Sequence, residues 1–187
     1  SAAPRVRVAR DGRTYRRAWE QRLDPNTRPA RPAAVRTYDS TGDTRAVAFD
    51  PEGWTPARQA EVVELFDRLA PEWTTRDVAG RELPIIDALD RGLAALPPVH
   101  RSVALELGGG TGLYSAILAE RFPTLVTLDL SWEMVRLVPD GPALPVQGDG
   151  SRLPLADGAL AALVLVNMFL FPVDLGRVLA PEGVVVW

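Results

Sequence analysis

No cysteine occurs among the 187 residues, which excludes disulfides, thiolate nucleophiles and zinc–thiolate sites. Lysine is missing as well, so every basic side chain is an arginine and lysine Schiff-base chemistry drops out. The single histidine, His100, has no acid or nucleophile at a telling spacing and is assigned no catalytic role. One histidine without cysteine makes a poor ligand set, and no metal is expected. Long apolar runs are also absent. The longest, Ala159 to Val166 followed by Met168 to Phe171, is broken by Asn167 and stopped by Pro172, short of the ~20 residues a membrane span needs. The arginine- and proline-rich N-terminus lacks the apolar core of a secretory signal. A cytoplasmic location with no membrane partner is the expectation.

What remains is ordinary in bulk, with 47% hydrophobic and 24% charged residues, and the length suits one domain with a sizeable core. Charge is unevenly spread. Residues 1–45 hold eleven arginines against five acids, and residues 46–187 hold ten against nineteen. A basic arm of this kind can mark a nucleic-acid contact, or it can lie against its own acidic body, the reading favoured here. Three segments are expected: an N-terminal extension over 1–54, a helical cap over 55–98 and a ligand-binding core over 99–187.

In the extension, Asp11 is placed to cap a helix reaching Leu23, with Tyr15, Ala18 and Trp19 on one face. Residues 34–39 and 45–50 alternate in the strand sense around Ser40-Thr41-Gly42-Asp43 and read as a β-hairpin. Thr55-Pro56 reads as an N-cap and first turn, with a helix to about Leu69 stopped by Pro71. A second helix is expected over about Pro84 to Leu96.

From Ser102 the pattern alternates strand and helix. Strands are read at 102–107, 125–128, 144–146, 160–166 and from Val184. Helices are read at 113–122, 132–138 and 173–179, with Ser131 as a cap and a turn at 180–183. This implies an α/β, Rossmann-like, mostly parallel sheet with helices on both faces. The segment that organises it is Val103-Ala104-Leu105-Glu106-Leu107-Gly108-Gly109-Gly110-Thr111-Gly112-Leu113. An apolar run ends in an acid and turns through four glycines in five positions. A strand that turns sharply into a helix needs glycine there, and the helix start offers unpaired N–H groups. A dinucleotide fingerprint, G-x-G-x-x-G, fails, because Leu113 or Ser115 stands where its last glycine belongs. Ligands of open parallel sheets sit beyond the carboxyl ends of the strands. Three successive strands each place an acid there: Glu106, Asp129 and Asp149.

The spacing Glu106-x-Gly108-x-Gly110-x-Gly112 resembles the first motif of class I S-adenosylmethionine (SAM)-dependent methyltransferases, and the likeness extends over 65–187. The resemblance implies SAM as cofactor and S-adenosylhomocysteine (SAH) as product. By it, Glu106 acts on the methionyl ammonium and Asp129, in Thr127-Leu128-Asp129-Leu130-Ser131-Trp132-Glu133-Met134, takes the ribose hydroxyls. Met134 and Trp132 pack near the adenine, and Asp149 with Gly150, in Gln147-Gly148-Asp149-Gly150-Ser151, meets the adenine amino group. Leu65-Phe66-Asp67-Arg68-Leu69-Ala70-Pro71-Glu72-Trp73 resembles the family's cofactor-covering segment, which makes Trp73, Arg76 and Asp77 lid candidates. Arg177 to Gly183 resembles its turn before strand five, with Glu182 in place of a glycine. Asn167 is the candidate on the acceptor side. Because Met168-Phe169-Leu170 follows it, amide- and base-directed methylation is disfavoured and an apolar pocket is expected. No residue is read as a catalytic base.

The family's sheet has seven strands, and this sequence stops inside the fifth. An uncovered fifth strand would invite aggregation. The expectation is that the sequence is a fragment or an unusually short member, or that something else, such as the hairpin at 34–50, covers that edge. The function expected is methyl transfer from SAM to a small-molecule acceptor. The alternatives are a SAM-binding protein without transferase activity and an RNA-directed methylase using the arginine-rich arm.

Overall fold

The computed structural model describes residues 7–10, 13–14, 53–76, 80, 82–94 and 102–187. Among them, seven strands form one sheet: β1 (Arg7–Arg10), β2 (Arg13–Thr14), β3 (Val103–Leu107), β4 (Thr124–Asp129), β5 (Ala143–Gln147), β6 (Leu160–Leu165) and β7 (Leu179–Val186). Their spatial order is β2-β1-β7-β6-β3-β4-β5. Every neighbouring pair is parallel except β1 with β2.

The helices are α1 (Pro56–Trp73), α2 (Leu83–Leu93), α3 (Ser115–Ala119), α4 (Trp132–Val135) and α5 (Pro172–Val178), with a 3-10 turn at Thr74–Arg76. A parallel sheet must be covered on both faces, so its strands carry apolar residues at odd and even positions alike. Leu105, Leu107, Leu163, Leu165 and Val185 pack on one side with Leu175 and Val178 of α5. Ala104, Ala162, Val164, Val184 and Val186 pack on the other with Leu89 and Leu93 of α2 and Leu118 of α3.

Several boundaries differ from those read in the sequence. Residues 13–14 lie in a strand rather than in a helix beginning at Asp11. The edge of β7 is met by β1, in parallel register Arg7↔Val184 to Ala9↔Val186. The hairpin expected at 34–50 lies outside the described residues. Pro71 does not stop α1, which continues to Trp73. A proline in the last turn forfeits one backbone bond, and Trp73 anchors the end by packing edge-on against Phe66 at 5.6 Å.

Helices α3 and α4 are shorter than expected because tighter i→i+3 bonds take over before Pro123 and Pro139. Arg121 N–H donates to Leu118 O and Val138 N–H to Val135 O. Residues 180–183 belong to β7 but bulge out of its ladder, since the register jumps from Leu160↔Leu179 to Ala162↔Val184. Gly183 allows that bulge: a Cβ there would lie 3.1 Å from Leu160 O. Arg177 laces the segment before β6 to α5, donating to the carbonyls of Leu153 and Leu155 and to Asp174.

Leu163 stands in β6 with no exposure, between β3 and β7. Leu163→Ala is expected to cost about 2–5 kcal/mol of stability by leaving a cavity. Denaturant unfolding measures this, and a loss below ~1 kcal/mol would mean the sheet centre is not tightly packed.

Candidate functional site

The carboxyl ends of β3, β4 and β5 open into a cavity of about 600 Å³. Its floor is the glycine turn after β3. Gly108, Gly110 and Gly112 all adopt left-handed backbone, with φ of 71°, 57° and 77°. This is why glycine recurs at every second position. Gly109 is required for space instead, since a Cβ there would fall 2.0 Å from Thr127 Oγ1. Leu128 O accepts from both Gly108 N–H (2.8 Å) and Gly109 N–H (3.2 Å), so β4 holds the turn directly.

The three acids are held in three different ways. Glu106 is 1% exposed, and its Oε2 accepts from Ser115 Oγ at 2.5 Å and Thr127 Oγ1 at 2.8 Å. Thr127 is its cross-strand register partner. Asp129 uses one oxygen for each of two backbone donors: Oδ2 accepts from Gly110 N–H and Oδ1 from Ser131 N–H, both at 2.9 Å. Asp149 Oδ1 accepts from Ser151 N–H at 2.8 Å and Trp54 Nε1–H at 3.1 Å. Its Oδ2 accepts from Gln59 Nε2 at 2.9 Å.

Helix α1 forms the opposite wall. Arg58, Glu61, Val62, Leu65 and Phe66 recur at helical spacing along the cavity, and Ser131 Oγ donates to Asp67 on the same helix. Trp73 closes over the turn, its Nε1 lying 3.2 Å from where a Gly110 Cβ would stand. Beyond β6, Asn167 is the one described non-glycine residue with left-handed backbone (φ 56°). Such conformations concentrate at functional sites. Beside it, Phe169 meets Trp54 edge-on at 5.9 Å.

Of the residues read in the sequence, Glu106, Gly108, Gly110, Asp129, Met134, Asp149, Gly150 and Asn167 all line this cavity. Gly112 does not; its place is against Val138, 3.0 Å from a Cβ built there. Trp132 is not among the lining residues either and is 53% exposed. Among the lid candidates Trp73 lines the cavity, whereas Asp77 and the side chain of Arg76 lie outside what is described; His100, assigned no role, does too. Sequence reading missed Trp54, Gln59, Ser115 and Thr127. Thr127 left a signal, a polar residue inside an apolar strand. Gln59, on a helix surface, left none.

Burial raises the pKa of Glu106, against the opposing pull of the Ser115 and Thr127 hydroxyls. Burial likewise raises Asp129, opposed by its backbone donors and reinforced by Asp67. A carboxyl group whose folded pKa is raised favours the fold while protonated. That contribution is complete below the ordinary value of about 4.3 and is lost as pH rises through the folded pKa. Glu106→Gln keeps an oxygen for both hydroxyls and carries no charge. Its melting temperature is expected to exceed that of the unsubstituted protein near neutral pH, with the gap closing as pH falls toward about 4. Calorimetry across that range measures it. A variant less stable at neutral pH would show that the ionised carboxylate supports the fold.

Residues 105–186 match the family described as a methyltransferase domain. No curated protein matches the sequence. Among solved structures, the DhpI–SAH complex is 21% identical with a TM-score of 0.54, covering 71% of this chain and 69% of that one. A chain from the complex of the Haloferax volcanii Trm112 methyltransferase activator with a methyltransferase is 22% identical, TM-score 0.48, over 63% of this chain. YcgJ from Bacillus subtilis is 18% identical, TM-score 0.37, over 42% of this chain. The chain spans 57% of the Haloferax chain and 39% of YcgJ. Residues 105–186 thus resemble a methyltransferase domain, and the chain shares the fold of the DhpI–SAH structure.

Proposed function

We propose that this chain binds SAM in the cavity beside the glycine turn and directs its methyl group to a small-molecule acceptor. The observation that carries the reading is the convergence of Glu106, Asp129 and Asp149 on one cavity, around a turn that keeps side chains out of its floor. The residues present fit the cofactor. Asp129 gives one lone-pair site on each oxygen to a backbone N–H, so each oxygen keeps a site for one hydroxyl of a ribose diol. Glu106, whose Oε2 is committed to two hydroxyls, retains its other oxygen and its charge for an ammonium group. Met134, fully buried, offers an apolar surface for a base.

The SAM sulfonium supplies an already activated methyl group, so the protein's task is alignment and exclusion of water. Phe66 and Trp73 close the cavity from the α1 side, and Asn167, Met168 and Phe169 form its wall beyond β6. A described lining with four carboxylates and one guanidinium, that of Arg58, supports a cationic cofactor and a neutral or cationic acceptor. A polyanion such as RNA would be repelled from the same space.

Calorimetric titration of the chain with SAH tests the cofactor. Saturable binding is expected, weakened about ten- to a hundredfold in Asp129→Asn, the worth of hydrogen bonds to a charged group. No binding by a well-folded chain, or unchanged affinity in the variant, would refute the assignment. Radiolabelled methyl from SAM is expected in small apolar acceptors; label in RNA alone would overturn the acceptor class.

A further inference from the structure

We propose that Gln59 and Trp54 are positioning residues that set Asp149 to recognise a 6-aminopurine, so the segment from Trp54 into the first turn of α1 governs which base the site accepts. The proposal rests on the assignment of the cavity to SAM. Of the three acids, Asp149 alone is oriented by side chains from Trp54 and the start of α1. Glu106 is fixed by hydroxyls of β4 and α3, and Asp129 by two backbone amides. Asp149 has only Ser151 N–H from its own loop. Its other donors stand 95 and 90 residues earlier, at Trp54 and Gln59.

The geometry leaves little choice of ligand atom. A carboxylate offers about four lone-pair sites. Ser151 and Trp54 fill both on Oδ1, and Gln59 fills one on Oδ2. One site remains, on Oδ2, and Asp149 lines the cavity between Gly148 and Gly150. Neither neighbour has room for a side chain, since a Cβ on either would approach a leucine methyl carbon to 2.9 Å. An acceptor-only site of this kind takes an N–H and repels a carbonyl oxygen. It therefore favours a 6-amino group over a 6-oxo group, provided the carboxylate is held still. Gln59 and Trp54 do the holding. Trp54 also packs on Phe169 at 5.9 Å and Phe171 at 5.3 Å. The orientation of Asp149 is thereby tied to the aromatic wall beyond β6.

The test compares SAH with S-inosylhomocysteine, which carries a 6-oxo group in place of the amine, by calorimetry on the full chain. The unsubstituted protein is expected to prefer SAH. In Gln59→Leu the SAH affinity is expected to fall about tenfold, the worth of one hydrogen bond to a charged group, while S-inosylhomocysteine binding changes little, so the preference shrinks. Trp54→Phe keeps an aromatic ring beside Phe169 but removes the N–H donor, and should act in the same direction. Asp67→Ala supplies the contrast, because it cuts the bond from Ser131 Oγ to α1 without touching Asp149. It should weaken both ligands by one common factor. A preference unchanged in Gln59→Leu and Trp54→Phe, with SAH still bound, would overturn the inference and leave the cofactor assignment standing. Failure of the unsubstituted protein to bind SAH would remove both.

Discussion

The hydrogen bonds from the glycine turn to the end of β4 are the constraint on which the site depends. Leu128 O takes the amides of Gly108 and Gly109, and Asp129 Oδ2 takes that of Gly110. Three consecutive residues leaving β3 are thus fixed by two consecutive residues ending β4. A chain bent so tightly visits left-handed backbone at alternate positions, where glycine carries no steric penalty. The same acid that steadies the turn also faces the cavity, so a change at Asp129 disturbs floor and wall together. Fixing the floor to the sheet rather than to a loop keeps the distances between the three acids rigid, as selective recognition requires.

The parts of this design legible in the sequence were those set by local chemistry. Doubly apolar strands announced a parallel sheet, and the acid-then-glycine spacing marked the end of the sheet where the cavity opens. Strand centres were readable, but the ends of α1, α3 and α4 were not. Pro71 was an unreliable stop because the packing of Trp73 on Phe66, a contact seven residues apart, outweighed one lost backbone bond. The ladder of β1 on β7 had no signature, because four residues joined to a strand more than 170 positions later carry no local pattern. Residues 180–183 looked like a turn before a strand because a bulge and a turn share the same glycine and proline chemistry.

The site divides along the same line. Glu106, Asp129 and Asp149 could be found because strand ends are predictable and the sheet order then brings them together. What holds each acid was far less visible. Thr127 is the register partner of Glu106, and pairing of two strands had to be known before that bond could be anticipated. Gln59 and Trp54 reach Asp149 from another element altogether. Nothing in the spacing of α1 separates a donor to a distant acid from an ordinary surface amide.

Those differences in support match differences in cost. Glu106 is the most deeply buried of the three acids, and burial pushes its pKa up in spite of two hydroxyl donors. A carboxylate at that depth is kept against the preference of the fold, which an amide would satisfy with the same oxygen. The sheet offsets that cost with its two apolar faces, where Leu105 and Leu107 on one side and Ala104 on the other are fully buried in the same strand. Asp149, half-buried beyond the end of β5, is held instead by Trp54 and by Gln59 of α1. Glu106 and Asp129 therefore sit on strands, and Asp149 is oriented by the segment that also walls the cavity. The donors that orient Asp149 are thus carried on the segment that covers the site.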